Sequence, residues 1–429
     1  MKQTARLEVP RIKAGAAHKI GLLVEVQAPE LPSTNLVRNP QAIIFVVDRS
    51  GSMGDGRLDL VKNTIGEMVG RLAPTDYLAI VSFDTEIETH VAISPVGTHT
   101  PQAIRRELAS LEPRGGTNIE LGYAAGLMQA GLLPEGIESR IVLLSDGHAN
   151  SGHQEPEAFA RLAANATEHL VRTSAIGIGE GYDERILTSL ADAGQGNHFA
   201  AVKLDEAVAG LQDEIDGLLE RSLKDIEIKV TTNKEIRNFK VKPVGYVRSV
   251  ENFANGSHTR VGDLSSNESR GYAFLVSLPA LRTELGTELA FEIEVSGTNV
   301  SNEQRVTQRS ELKLEISEAV GFVNPPKDEE VSAEILAYRL AEIKKAAAEA
   351  AYRGDMVGAK RIIQQAQIDI EVVIRNIDRL SPRLRSRILS ERDELNEILN
   401  YRPVEFSKRV QESSIRSARS KNDPRKGRQ

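Results

Sequence analysis

Hydrophobic and polar positions alternate over residues 19–27, where Ile20, Leu22, Val24 and Val26 are interleaved with Gly21, Leu23, Glu25 and Gln27. Period two predicts a strand with one buried face. The stretch 28–40 (APELPSTNLVRNP) holds three prolines among polar residues and reads as a linker. The pattern then changes. Unbroken apolar runs at 42–47, 77–83, 141–144 and 175–178 predict strands covered on both faces, as in a mainly parallel sheet. Between and after them, 57–72, 101–111, 118–131, 154–170, 183–193 and 204–222 have helical length and spacing. Residues 41–222 therefore predict a doubly wound α/β domain.

Alternation returns beyond Lys224, in Ile226, Ile228 and Val230, in Phe274 and Val276, in Phe291, Ile293 and Val295, and in Leu312, Leu314 and Ile316. The same period lies on both sides of the α/β segment. Because domain termini tend to lie close together at the surface, this predicts an α/β domain inserted in, or flanked by, a β-sandwich made of 1–38 and 223–323. Two separate β elements are the alternative. Asn324-Pro325-Pro326 ends the β region, and residues 328–402 predict a helical bundle. Its first helix carries Val331, Ile335, Leu336, Leu340 and Ile343 up to Gly354-Asp355. Its second carries Ile362, Ile363, Ile368, Val372 and Val373, and its third follows Ser381-Pro382, a capping residue before a first-turn proline. Residues 406–429, with Lys408, Arg409, Arg416, Arg419, Lys421, Arg425, Lys426 and Arg428, are expected to form a basic disordered tail.

Composition narrows the chemistry. The 429 residues contain no cysteine, which removes disulfides, thiolate metal sites and cysteine nucleophiles. A net charge of −7 argues against nucleic-acid binding over the whole surface, leaving only the basic tail for such a contact. No apolar run approaches the ~20 residues of a membrane-spanning helix. The start has basic residues but no signal-peptide core, and a cytoplasmic location is expected.

The first buried run ends in Asp48-Arg49-Ser50-Gly51-Ser52-Met53. One carboxylate and two hydroxyls stand where the chain leaves the sheet, at the carboxyl end where open α/β sheets bind ligands. The loop Arg114-Gly115-Gly116-Thr117-Asn118 adds a hydroxyl at a helix start, and Asp146-Gly147 follows the third run. Asp48, Ser50, Ser52, Thr117 and Asp146 form an oxygen-only set, which selects Mg²⁺, Mn²⁺ or Ca²⁺ over zinc or copper. Five side chains leave an octahedral ion at least one position for an outside oxygen.

These residues resemble the von Willebrand factor type A domain with its metal-ion-dependent adhesion site. The Asp-x-Ser-x-Ser motif matches Asp48, Ser50 and Ser52, the family's threonine matches Thr117, and its later aspartate matches Asp146. The resemblance implies that the serines bind the ion directly, that Thr117 and the aspartates bind directly or through water, and that a partner's Asp or Glu completes the shell. The order of domains is similar to bacterial proteins labelled calcium-activated chloride channel homologues, but channel activity has no spanning segment to support it. Similar bacterial proteins work beside AAA+ ATPases, and a second copy of the chain is another partner class.

The expected function is therefore a non-enzymatic, Mg²⁺-dependent protein-binding module. A metal-dependent hydrolase using Asp48 or Asp146 with His148, with His153 nearby, is a second reading. A scaffold that binds through the helical region is a third. Arg49 and Met53 fill the variable positions of the motif, and an exposed Arg49 would assist an acidic partner. Gly177-Ile178-Gly179-Glu180-Gly181 follows a strand but lacks G-x-G-x-x-G spacing, so it reads as a tight turn.

Overall fold

The computed structural model describes residues 1–418 apart from 32–39, 148, 150, 180, 202–203, 235, 237, 246, 248 and 282–286. Most of the expected linker thus lies outside the described residues. The chain divides into two compact units, Met1–Val37 together with Glu220–Asn422, and Arg38–Leu219.

The first unit opens with strands β1 (Lys2–Leu7), β2 (Arg11–Lys13) and β3 (His18–Gln27). The second unit follows in chain order as β4 (Ala42–Asp48), α1 (Arg57–Val69), β5 (Tyr77–Phe83), β6 (Ile87–Pro95), α2 (Pro101–Ala109), α3 (Ile119–Ala130), β7 (Ser139–Ser145), α4 (Pro156–Glu168), β8 (Val171–Ile178), α5 (Glu184–Ala193), β9 (Gln195–Ala201) and α6 (Leu204–Leu219). Its sheet runs β6-β5-β4-β7-β8-β9. All neighbours are parallel except the β5/β6 pair.

Every residue of β4 is buried, because helices cover both sheet faces. Ile43, Phe45 and Val47 join a core with Leu58, Ile65, Leu108 and Leu211, while Ile44 and Val46 join another with Tyr123, Phe159 and Leu187. From β4 the chain crosses to β5 on one side, and β7 lies on the other. The carboxyl ends of β4 and β7 are therefore a topological switch point, where α/β sheets open a crevice. Helix α3 sits close to the sheet because Gly122 has no side chain. A Cβ there would fall 2.4 Å from the Phe83 ring.

The first unit resumes with β10 (Arg221–Thr232), β11 (Lys240–Val244), β12 (Ser249–Phe253), β13 (Gly256–Ser265), β14 (Ser269–Leu278), β15 (Glu288–Asn299) and β16 (Arg305–Ser317). They form two sheets with the N-terminal strands, ordered β1-β3-β14-β11 and β12-β13-β10-β15-β16-β2. Strand β3 pairs antiparallel with β14 from Gln27↔Ser269 to His18↔Leu278. Leu22, Val24 and Phe274 from one sheet and Ile226, Phe291 and Leu314 from the other share one apolar core.

Four helices follow, α7 (Glu329–Tyr352), α8 (Met356–Ile374), α9 (Pro382–Ile398) and α10 (Pro403–Ala418). Leu340, Ile363, Ile388, Leu395, Phe406 and Val410 build their core. Pro382 stands in the first turn of α9, but the Ser381 hydroxyl donates to Glu330 at 3.1 Å rather than capping its own helix.

Helix α10 corrects the expectation of a basic disordered tail from 406. Phe406 and Val410 are fully buried, Ser414 Oγ donates to the Ala341 carbonyl at 2.8 Å, and Arg416 pairs with Glu412 and Glu394. Basic residues that suggest a solvated tail are here spent on internal ion pairs. Residues 419–429 of that tail lie outside the described residues.

Candidate metal centre

Register brings two of the three predicted stretches together. Val47 pairs with Leu144 in parallel, so Asp48 and the Ser145-Asp146 pair leave adjacent strands at the same edge. After Asp48 the chain folds at once, since Ser50 N donates to Asp48 Oδ1 at 2.8 Å and Gly51–Met53 form one 3₁₀ turn anchored by buried Met53. The third stretch is tied in through the backbone. Arg114 N donates to the Arg49 carbonyl at 2.7 Å, Gly51 N to the Gly115 carbonyl at 3.2 Å, and Asn118 N to the Asp84 carbonyl at 3.0 Å. Asn118 then caps α3 by accepting from Leu121 N at 3.0 Å. This leaves Thr117 buried against the Asp146 loop. A Cβ on Gly147 would lie 2.7 Å from Thr117 Oγ1, so only glycine admits that hydroxyl.

The oxygens form a continuous cluster. Ser50 Oγ and Ser52 Oγ are 3.1 Å apart, Ser52 Oγ donates to Asp146 Oδ1 at 2.7 Å, and Ser145 Oγ donates to Asp48 Oδ2 at 2.5 Å. Burial pushes the Asp48 carboxyl up to about 6, against hydrogen bonds from Ser145 and Ser50 that lower it, and the Asp146 charge adds to the rise. Two carboxylates at the strand ends, 0% and 3% exposed, share one arginine, Arg57 on Asp146, and the chemistry of the donor set fits a hard divalent cation. Its spacing fits too. Adjacent oxygens on an octahedral ion, each about 2.1 Å from it, stand about 3 Å apart.

Four of the five predicted residues, Asp48, Ser50, Ser52 and Asp146, thus lie in this cluster, with Thr117 at its Gly147 side. Arg49 is a correction. It is 3% exposed, donates from Nε to Asp84 Oδ2 at 2.8 Å and pairs with Glu88, so it braces the β4 and β5 loops rather than meeting a partner. His153 is exposed and bound to Glu120 at 2.7 Å, a contact that raises its pKa. His148, on which the hydrolase reading rests, lies outside the described residues. Gly179, in the turn after β8, has a positive φ of 77°.

Three further residues belong to the site. Ser145 holds Asp48. Asp84 gathers Arg49 and Arg114, each within 2.9 Å of its Oδ2. Burial alone would raise the Asp84 carboxyl, but hydrogen bonds from Arg114, the Glu86 amide and Arg49 bring it down to about 2. Arg57 Nη1 donates to Asp146 Oδ2 at 2.6 Å and to the Ser52 carbonyl at 2.8 Å. A signal for Arg57 exists in the sequence. A cation in the first turn of a helix opposes the macrodipole, so its presence there points to a carboxylate that holds it.

Residues 42–214 match the sequence profile of the von Willebrand factor type A domain. YfbK of Escherichia coli is 29% identical over 59% of this chain, a match that takes in 43% of YfbK's own length. The protein sll0103 of Synechocystis is 24% identical over 77% of this chain and 78% of that protein. A crystal structure of the ArnB paralog VWA2 from Sulfolobus acidocaldarius superposes with a TM-score of 0.65, covering 97% of this chain and 98% of that one at 15% identity. At that identity the likeness is one of fold. Among the described residues, no helix is long and apolar enough to cross a membrane.

Proposed function

We propose that residues 42–214, which match the von Willebrand factor type A domain, are a non-enzymatic, metal-dependent binding module whose ion takes an acidic side chain of a protein partner. Ser50, Ser52, Thr117, Asp48 and Asp146 would hold Mg²⁺, with Mn²⁺ or Ca²⁺ as substitutes, directly or through water. The bound ion supplies a positive charge that attracts an external carboxylate. The observation that carries this reading is the Ser50–Ser52 oxygen pair at 3.1 Å, with Asp146 closing on Ser52.

The remaining residues of the site do the positioning. Ser145 keeps Asp48 aimed along the strand edge. Asp84 and its two arginines fix the loop that carries Thr117. Residues 1–38 and 223–323 would form a sandwich, and the helices after 328 further binding surface.

Capture of partners by the immobilised chain in Mg²⁺ and in EDTA, with wild type and Asp48→Ala, tests the function. Capture should require both Mg²⁺ and Asp48. Capture indifferent to chelator and to the substitution would refute it. An AAA+ ATPase and a second copy of the chain are the two partner classes that identification of the captured protein separates.

A further inference from the structure

Arg57 has hydrogen-bonding capacity that its contacts in the site do not use up. Its Nη1 donates both to Asp146 Oδ2 at 2.6 Å and to the Ser52 carbonyl at 2.8 Å. A guanidinium has five N–H donors. The Nε and Nη2 edge therefore remains, on a side chain that is 36% exposed. Its charged N–H groups are strong donors to a carboxylate oxygen. It lies toward Gly179, whose missing Cβ would stand 3.7 Å from Nη2 and 4.0 Å from Nε.

Placement gives this a purpose. Arg57 opens α1, where the helix dipole disfavours a cation. It also neutralises one of the two aspartates of the cluster, so an ion held there keeps more of its charge for an outside anion.

Resting on the metal-site reading above, we propose that Arg57 is the second anchor of the incoming group: one carboxylate oxygen goes to the ion, and the other to the free edge of Arg57. The site then selects two-oxygen anions over neutral oxygen donors such as amides and hydroxyls.

Acetate and acetamide are the probes, titrated into the full-length chain loaded with Mn²⁺ and followed by the water-proton relaxation of the ion. Wild type should bind acetate and not acetamide. Arg57→Gln, saturated with Mn²⁺, should weaken acetate roughly tenfold, the worth of one charge-assisted hydrogen bond. Arg57→Lys should keep part of the acetate affinity. Equal acetate affinity in wild type and Arg57→Gln, both loaded with Mn²⁺, overturns the inference alone. Equal response of Mn²⁺-loaded wild type to acetate and acetamide also overturns it. Failure of wild type to bind Mn²⁺ overturns the metal-site reading and this inference together.

Discussion

Ser52 and Asp146 are 94 residues apart in sequence, yet the hydroxyl of one donates to the carboxylate of the other at 2.7 Å. The contact joins the loop after β4 to the loop after β7 across the switch point of the sheet. A cation bound there ties together segments that the unfolded chain holds apart, so its binding free energy becomes stability of the fold.

Melting temperature should therefore rise with Mg²⁺ or Mn²⁺. At a free-ion concentration 100-fold above Kd the gain is about 2.7 kcal/mol, or roughly 5–10 °C for a domain of this size. Calorimetry on Asp48→Ala and Asp146→Ala should show no metal-dependent rise. Ser145→Ala should keep a rise but need more metal, since removing a hydrogen bond to a ligand costs roughly 10–100-fold in affinity. A full rise in all three variants would place the ion elsewhere.

Asp84 sets an acid limit on the α/β unit. Its carboxyl is brought down to about 2 in the folded chain, against about 3.9 when unfolded. A depressed carboxyl adds stability that is complete above the unfolded pKa and disappears as pH falls through the folded one. Urea midpoints should therefore fall between about pH 4 and about pH 2, and Asp84→Asn should flatten that part of the profile. At neutral pH Asp84→Ala should cost about 3–5 kcal/mol, because it breaks the buried ion pair with Arg49.

Lys344 makes the same point in the helical region. It is fully buried, and its ammonium donates to Glu391 at 2.6 Å, Glu394 at 2.9 Å and Ser417 at 3.0 Å. Burial would lower its pKa, but the two carboxylates outweigh that and raise it. Lys344→Ala should destabilise the helices by about 3–5 kcal/mol. Ending the chain at 402 removes Phe406, Val410 and Ser417, and chemical denaturation should show a still larger loss.

The sequence displayed strands and helices unequally. Apolar runs such as Ile43-Ile44-Phe45-Val46-Val47 are legible because both faces of β4 are buried, and the oxygen cluster proposed as a metal site is legible because Asp48, Ser50 and Ser52 stand within one local motif. Strand β6 was not seen. It is an antiparallel edge in which only Val91 is buried, and IETHVAISP carries no long apolar run. Strand β9 hides in QGNHFAA, buried through His198, Phe199 and small residues. Helix α10 was missed because Lys408, Glu412 and Arg416 are buried there, and charge normally marks a solvated face. Arg49 misled for the opposite reason. Its neighbour in space is Asp84, 35 positions away, and nothing in the motif announces that pair.

The most direct test of the metal site is an anomalous-scattering map of crystals grown with Mn²⁺. The account predicts one peak about 2.0–2.3 Å from both Ser50 Oγ and Ser52 Oγ, absent in Asp48→Ala. Mn²⁺ bound in solution with no peak between those two serines would contradict it.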